Sequence, residues 1–574
     1  MNIIIVTGEL AYPLIEKIAE KSKENVWVHI AKTQIAAFLT PNKVIKEINT
    51  LKKENPELIA GTDMILVPGL MKKDTSEITK TLNIPCFKGP KDGSDIEVVL
   101  DLIDKIELSE TKPADKLIEE EKLKKAIEFI DNFEKDSEKI NELLKKPNNI
   151  KIKDLPVGED FPMRVLAEIA NAPLLSKEEL LSKCQYFIDN GADMIDIGMV
   201  AGEDYSHKIP ELINDLREII GNRPLSIDTL NENEIKIAIE NDIDLVLSLD
   251  LGNYKNLLTI LKEKDIPVVL LPTDFKNNII PKTIDERIIA IEKLINRIKY
   301  TYTPSVGEKN SDNNNNSNNK ELRFFADLIL DPVNSKSIVD SIISFKKFKE
   351  RNPYPTFFGV GNVSELLDAD SPGVNALISG IAMELGASVL FTPDESGKSW
   401  NSVYELSIAS KMMFLAKNRG SIAKDLGINL IQFKDQKKLQ FSNKSTINED
   451  NELSNIDYKD INEETENIPI YSAEEDPKFK MDPKGSFKIN VIHGTRYDKS
   501  KIVVTHYKKG KATAKIEGIE AKKIYNEILK KELITRYEHV AYLGSELQKA
   551  EIAMITSKEY IQDFELFKKP LILD

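Results

Sequence analysis

Between residues 163 and 417 one pattern repeats eight times: a short apolar run of strand character, then a stretch with apolar residues at helical spacing. The strand candidates are MRVLAEIAN (163–171), ADMIDIG (192–198), RPLSIDT (223–229), IDLVLSLDLGN (243–253), IPVVLLPTD (266–274), ADLILDP (326–332), TFFGVGN (356–362) and ASVLFTPDES (387–396). Segments such as KEELLSKCQYFIDN, IPELINDLREIIG and GVNALISGIAMEL separate them, and a helix near 401–417 completes the last unit. Parallel neighbours need long crossovers, which helices supply. Eight consecutive units over about 250 residues have the size and rhythm of a closed (β/α)8 barrel, with an open doubly wound sheet as the competing arrangement.

At 574 residues the chain is too long for one ordinary domain. NIIIVT (2–7), VWVHIA (26–31), DMILVPG (63–69) and IPCFKG (84–89) alternate with helical spacing and predict a small parallel α/β domain of the flavodoxin or Rossmann kind over 1–107. TGELAYP after its first strand offers one glycine, so no dinucleotide fingerprint is present, and no D-x-H-x-x-G corrinoid signature occurs. His29, inside an apolar strand, reads as a core residue. Residues 108–155 read as a charged helical connector with Leu117, Leu123, Ile127 and Ile130 at helical spacing. The barrel domain is expected over 156–433, with a low-complexity insertion at 303–321 whose composition is that of a disordered segment. An acidic linker (434–484) and a small C-terminal α/β domain (485–574) follow. In the latter, FKINVIHG and KIVVTHY predict a strand pair, and His539, Glu546, Lys549 and Glu551 lie on a helix where Glu546 and Lys549 are spaced to pair.

The net charge of −15 argues against nucleic acid or an anionic membrane as the main partner. Cys86 and Cys184 fall in different domains without metal-ligand spacing and read as reduced and buried. MNIIIVTG lacks the basic start and small-residue cleavage site of a signal peptide, and no apolar run reaches membrane-spanning length, so a cytoplasmic location is expected.

Barrel enzymes build their sites at the C-terminal ends of the strands. Here those ends carry Glu168 and Asn171, Asp196, Asp228, Ser248 with Asp250 and Asn253, Asp274, Asp331, Asn362 and Asp394. Singly, each has a structural reading: Asn253 and Asp394 suit helix caps, and Asn231 suits a cap with Glu234 as its box partner. Collectively, buried carboxylates need water, a metal, or a cationic or donor-rich ligand.

GADMIDIG (191–198), PLSIDT (224–229) and DLILDP (327–332) resemble the dihydropteroate synthase family and its relatives, the methyltetrahydropterin methyltransferases, across the whole barrel. The chain as a whole resembles archaeal dihydropteroate synthase-related proteins, which implies tetrahydromethanopterin rather than folate. A pterin presents a 2-amino group beside a ring N–H, and that paired donor edge suits a carboxylate. By this resemblance Asp331 grips the edge, Asp228 with Ser248 or Asp250 bonds the rest of the ring system, and Asp196 orders the pocket floor. Glu168, Asn171 and Asn253 complete the expected pterin-binding set.

The sequence departs from the synthase pattern where the diphosphate leaving group and its magnesium are held. EIANAPLLS stands in place of N-x-T-P-D-S-F, MVAGEDYS in place of G-E-S-T-R-P-G, GVGNVSE in place of the S-R-K lysine, and FTPDES in place of R-x-H. GVGNVSE is closer to the methyltransferase S-N-V-S segment, which implies Asn362 beside the pterin N5. The expectation is a pterin-dependent enzyme that transfers a methyl or other one-carbon group, with Asn362 and Asp196 catalytic, no dedicated metal ligands, and a corrinoid protein or a thiol as acceptor. Synthase-type condensation with Mg2+, a non-catalytic pterin-binding or assembly protein, and a metal-dependent use of the carboxylates are the competing expectations. The resemblance also implies a homodimer.

Overall fold

The computed structural model describes residues 1–300, 321–431 and 480–567. The insertion expected at 303–321 and the acidic linker expected at 434–484 therefore lie almost entirely outside the described residues.

The N-terminal unit is a parallel sheet of β1 (Asn2–Thr7), β2 (Asn25–Ile30), β3 (Met64–Val67) and β4 (Cys86–Lys88) in the order β2-β1-β3-β4. Its central strand is nearly all buried because both faces are covered, by helix Pro41–Glu54 on one side and helix Ile96–Asp101 on the other. β2 is an edge strand with an exposed face, so His29 is half-buried, with Nε2 3.3 Å from Glu47 Oε2, rather than a core residue.

Helices Glu119–Lys135 and Ser137–Leu143 form the connector. The stripe that packs is Ala126, Ile130 and Phe133, against Phe161, Met412 and Phe414. Leu117, Leu123 and Ile127 are 43–47% exposed, so the helix is rotated relative to the face expected from its leucines. Aromatic packing decides this: Phe133 stacks edge-on with Phe161 and Phe414.

A hairpin, β5 (Asn149–Ile152) and β6 (Leu155–Gly158), precedes the barrel. The barrel strands are β7 (Arg164–Ile169), β8 (Met194–Gly198), β9 (Leu225–Asp228), β10 (Leu245–Leu249), β11 (Val268–Leu270), β12 (Phe324–Ala326), β13 (Thr356–Gly359) and β14 (Ala387–Thr392). All pairs are parallel, and β14 pairs with β7 to close the cylinder. The fold is the expected (β/α)8 barrel flanked by smaller α/β units.

Period-2 alternation sorts the strand residues. Leu166, Met194, Leu245, Leu247, Val269, Phe325, Phe357 and Val389 fill the interior, and Ile152 and Val157 of the hairpin pack into the same cluster at the N-terminal end. Val165, Ile195, Ile227, Val246 and Leu390 point outward to the helices. The first barrel helix, Lys177–Asp189, starts at a capping box between Ser176 and Glu179 and buries Leu180, Cys184 and Phe187.

The sixth strand differs most from expectation. The sixth is Phe324–Ala326, and DLILDP is the loop after it, with Ile329 at φ 65°. Leu328 and Leu330 are buried as loop residues, which explains why the run reads as a strand.

The C-terminal unit is an antiparallel meander of β15 (Ser486–Ile492), β16 (Lys501–Lys508) and β17 (Lys511–Gly518), under helices Ala521–Lys530 and Tyr537–Ile555. Its third strand, KATAKIEG, exceeds the expected pair. Glu546 does pair with Lys549, but it is buried and also accepts from Tyr560 Oη at 2.7 Å, while Glu551 accepts from Ala521 N.

Candidate functional site

Alternation places four carboxylates one step beyond the apolar interior. Glu168 follows Leu166 on β7, Asp196 follows Met194 on β8, Asp228 ends β9, and Asp327 follows Phe325 past β12. Glu168 and Asp196 are direct cross-strand partners. One carboxylate oxygen each from Glu168, Asp196 and Asp228 lies within 4.8 Å of the others. Gly198 makes room for this: a Cβ there would stand 2.3 Å from Glu168 Oε1.

Asp196 is 0% exposed. Its Oδ1 accepts from the Ser226 hydroxyl, and its Oδ2 is buried without a hydrogen-bond partner. Burial first, then the charges of Asp228 and Glu168, holds its carboxyl well above the ordinary carboxylate range. Burial and the neighbouring Asp228 push Glu168 up to about 7. Burial and the charge of Asp327 do the same to Asp228, and burial raises Asp327 to about 7. These carboxyls titrate together, so near neutrality the mouth holds both protons and negative charge. Lys183, on the first barrel helix, lends partial compensation to Glu168 and is itself paired with Glu395.

The other expected residues are placed differently. Asp331 turns into the wall: its carboxylate binds the buried Arg287 guanidinium and accepts from Ser341 Oγ at 3.0 Å. Arg287 also donates to the carbonyls of Leu328 and Ile329 at 3.1 and 2.7 Å, pinning the loop that presents Asp327. Asp327, not Asp331, is the sixth-strand carboxylate at the mouth.

Asp250 is saturated by four donors: Gly252 N at 2.8 Å, Asn253 N at 3.1 Å, Thr273 Oγ1 at 3.0 Å and Phe275 N at 2.7 Å. Asn253 closes the same loop, accepting from Asp250 N and donating to Ser248 O. Both order the loops after β10 and β11, and their polar atoms are spent there. Ser248 is buried, 5% exposed, at the end of β10. Asn171 is exposed, with a left-handed backbone.

Asn362 stands on a helical turn, Gly361–Ser364, beyond β13 rather than on the strand. It is exposed, and its Nδ2 donates to Leu330 O at 2.9 Å, so its amide is oriented by the loop that carries Asp327. Asp394 accepts from Tyr186 Oη at 3.1 Å and from Val403 N at 3.3 Å, joining the start of the last barrel helix as its cap reading requires. Asn231 caps as expected, but Glu234 bonds Thr229 and Tyr205 N instead of closing a box.

The family model described as "Pterin binding enzyme" matches residues 169–306, and the model PterinBD-DUF4346 matches 481–563. Solved structures similar to part of the chain include a Yersinia pestis dihydropteroate synthase with a sulfonamide drug (14% identical, 47% of this chain and 99% of that chain, TM-score 0.36). Another is the Xanthomonas albilineans dihydropteroate synthase in complex with 7,8-dihydropteroate (14%, 46% and 96%, TM-score 0.35). Over 570 residues the chain is 40% identical to the uncharacterized protein MJ0107 of Methanocaldococcus jannaschii, covering 99% of both chains. The chain belongs to the same family as this archaeal protein, and part of its barrel matches the pterin binding enzyme model.

Proposed function

We propose that the barrel binds a reduced pterin and acts as a transferase, moving a methyl or other one-carbon group from a tetrahydropterin to a corrinoid or thiol acceptor. The observation that carries this reading is the pair Asp228 and Asp327. They are half-buried acceptors at the mouth, near enough that the charge of one raises the other. The 2-amino and ring N–H donors of a pterin offer what such carboxylates lack.

Methyl transfer from N5 needs N5 protonated, because a neutral amine is a better leaving group than an amide anion. The acceptor's electron pair attacks the methyl carbon, the C–N bond pair returns to N5, and the demethylated pterin leaves neutral. A carboxyl held near 7 outside the cluster of Glu168, Asp196 and Asp228, such as Asp327, is suited to carry that proton. Asn362, oriented through Leu330 O, is suited to accept a hydrogen bond from protonated N5.

Synthase-type condensation requires cationic groups around a diphosphate. The loop after β7 instead presents Asn171 exposed, and the mouth is lined by Glu168, Asp228 and Asp327. The negative mouth supports methyl transfer over condensation. Among the described residues no helix is long and apolar enough to cross a membrane, and we propose a cytoplasmic site of action.

The test is to incubate the protein with N5-methyl-tetrahydromethanopterin and either cob(I)alamin or a thiol, following demethylation of the pterin. Demethylation that falls in Asn362→Ala supports the reading. No demethylation with either acceptor, together with condensation of a dihydropterin-methyl diphosphate with an arylamine, overturns it.

A further inference from the structure

We infer that Glu168, Asp196 and Asp228 form a binding site for one divalent cation of the hard, oxygen-preferring class, Mg2+ or Mn2+. This site is separate from the diphosphate-bound magnesium that the synthase resemblance implies, and it does not depend on a pterin occupying the mouth.

The geometry comes first. Ligand oxygens around a six-coordinate ion at about 2.1 Å are roughly 3 Å apart when adjacent and roughly 4.2 Å apart when opposite. One oxygen from each of the three carboxylates falls inside 4.8 Å of the others, so small side-chain adjustments suffice to close on an ion. Glu168 reaches the site only because Gly198 has no side chain.

A second observation points to a ligand independently of that clustering. Asp196 is 0% exposed, and its Oδ2 has no donor of any kind, although Oδ1 is satisfied by Ser226. A buried carboxylate oxygen without a donor is costly and rare. The cation whose field reaches Glu168, Lys183, is engaged by Glu395, so charge compensation within the cluster is incomplete. A divalent ion satisfies Oδ2 and supplies positive charge to the cluster that Lys183 alone does not. Glu168 and Asp228 are half-buried and Asp196 is enclosed, so the ion keeps water ligands on the side of the barrel mouth. The all-oxygen donor set suits a hard ion such as Mg2+ or Mn2+ rather than a soft one.

The competing way to satisfy the same oxygens is a shared proton, and one experiment separates the two. Full-length protein, stripped with a chelator, dialysed and free of pterin, is titrated with Mn2+ at pH 8 by electron paramagnetic resonance and with Mg2+ by calorimetry. The expected result is one saturable Mn2+ site per chain, displaced by Mg2+. Asp196→Asn and Glu168→Gln each weaken it by about tenfold or more, as loss of a ligand does, while Asp394→Asn leaves it unchanged. Glu168→Gln, at a half-buried position, keeps the test valid if Asp196→Asn fails to fold. Folded wild-type protein with no saturable Mn2+ site, or with a site undiminished in Glu168→Gln, overturns the inference in favour of shared protons.

Discussion

Asp327 and Asp331 are four residues apart, and the structure assigns them opposite roles. In Asp331→Asn the Arg287 guanidinium loses its counter-ion in a wall where the two side chains are 3% and 6% exposed. Breaking a buried pair by removing one partner costs about 3–5 kcal/mol, and retained neutral hydrogen bonds to Arg287 and Ser341 put this change at about 3 kcal/mol. For a domain of this size that corresponds to a fall in Tm of roughly 6–12 °C. Asp327→Asn removes a carboxyl that burial holds up to about 7. At neutral pH it therefore leaves stability unchanged or raised. It does remove the acceptor that the donors of a bound pterin hold ionised, weakening pterin binding by about 1.5–3 kcal/mol, roughly 10- to 150-fold. Denaturant unfolding and calorimetric pterin titration on both variants give the comparison. The reasoning is refuted if Asp331→Asn keeps wild-type stability while losing pterin affinity and Asp327→Asn does neither.

Other consequences are open to direct measurement. Gly198→Ala drives a Cβ into Glu168 Oε1; the expected result is a folded protein with weakened pterin and Mn2+ binding, checked by circular dichroism and titration. Glu405 is 2% exposed, and burial raises its carboxyl from 4.5 to about 7 despite hydrogen bonds from Ser371 and Asn375. The folded state thus holds this proton more tightly than the unfolded chain. Its stabilising contribution is complete below about pH 4.5 and is lost as pH rises through about 7, a change of about 3 kcal/mol by linkage. Glu405→Gln is expected to flatten the unfolding free energy across that window, and an unchanged pH profile would count against it. Phe133→Ala, at a site 6% exposed between Phe161 and Phe414, is expected to cost about 3–5 kcal/mol and to expose the connector to limited proteolysis.

The barrel is legible in the sequence because strand and helix periodicities alternate through eight units on either side of one low-complexity insertion, and parity alone aims Glu168, Asp196 and Asp228 inward once Leu166 and Met194 are read as interior. Asp327 was hidden by its neighbours. Leu328 and Leu330 are as apolar as a strand, and only the positive φ of Ile329 and the carbonyl bonds from Arg287 show a loop. The Arg287–Asp331 pair spans 44 positions and leaves no local trace. Asp250 did leave one: D-L-G-N is the spacing of a carboxylate that accepts from the backbone two and three residues on, as it does here. β17 is not evident in the sequence because KATAKIEG has little β-propensity of its own and is held by the long ladder with β16.

Calorimetric titration of the chelator-stripped, metal-free wild-type protein tests the central claim, that the carboxylate mouth receives a reduced pterin. The two ligands are N5-methyl-tetrahydromethanopterin and a dihydropterin-methyl diphosphate. The account predicts saturable binding of the methylated pterin, weakened in Asp327→Asn, and little affinity for the diphosphate at a mouth lined by Glu168, Asp228 and Asp327. Folded protein that binds neither ligand, or binds the diphosphate alone, would contradict it.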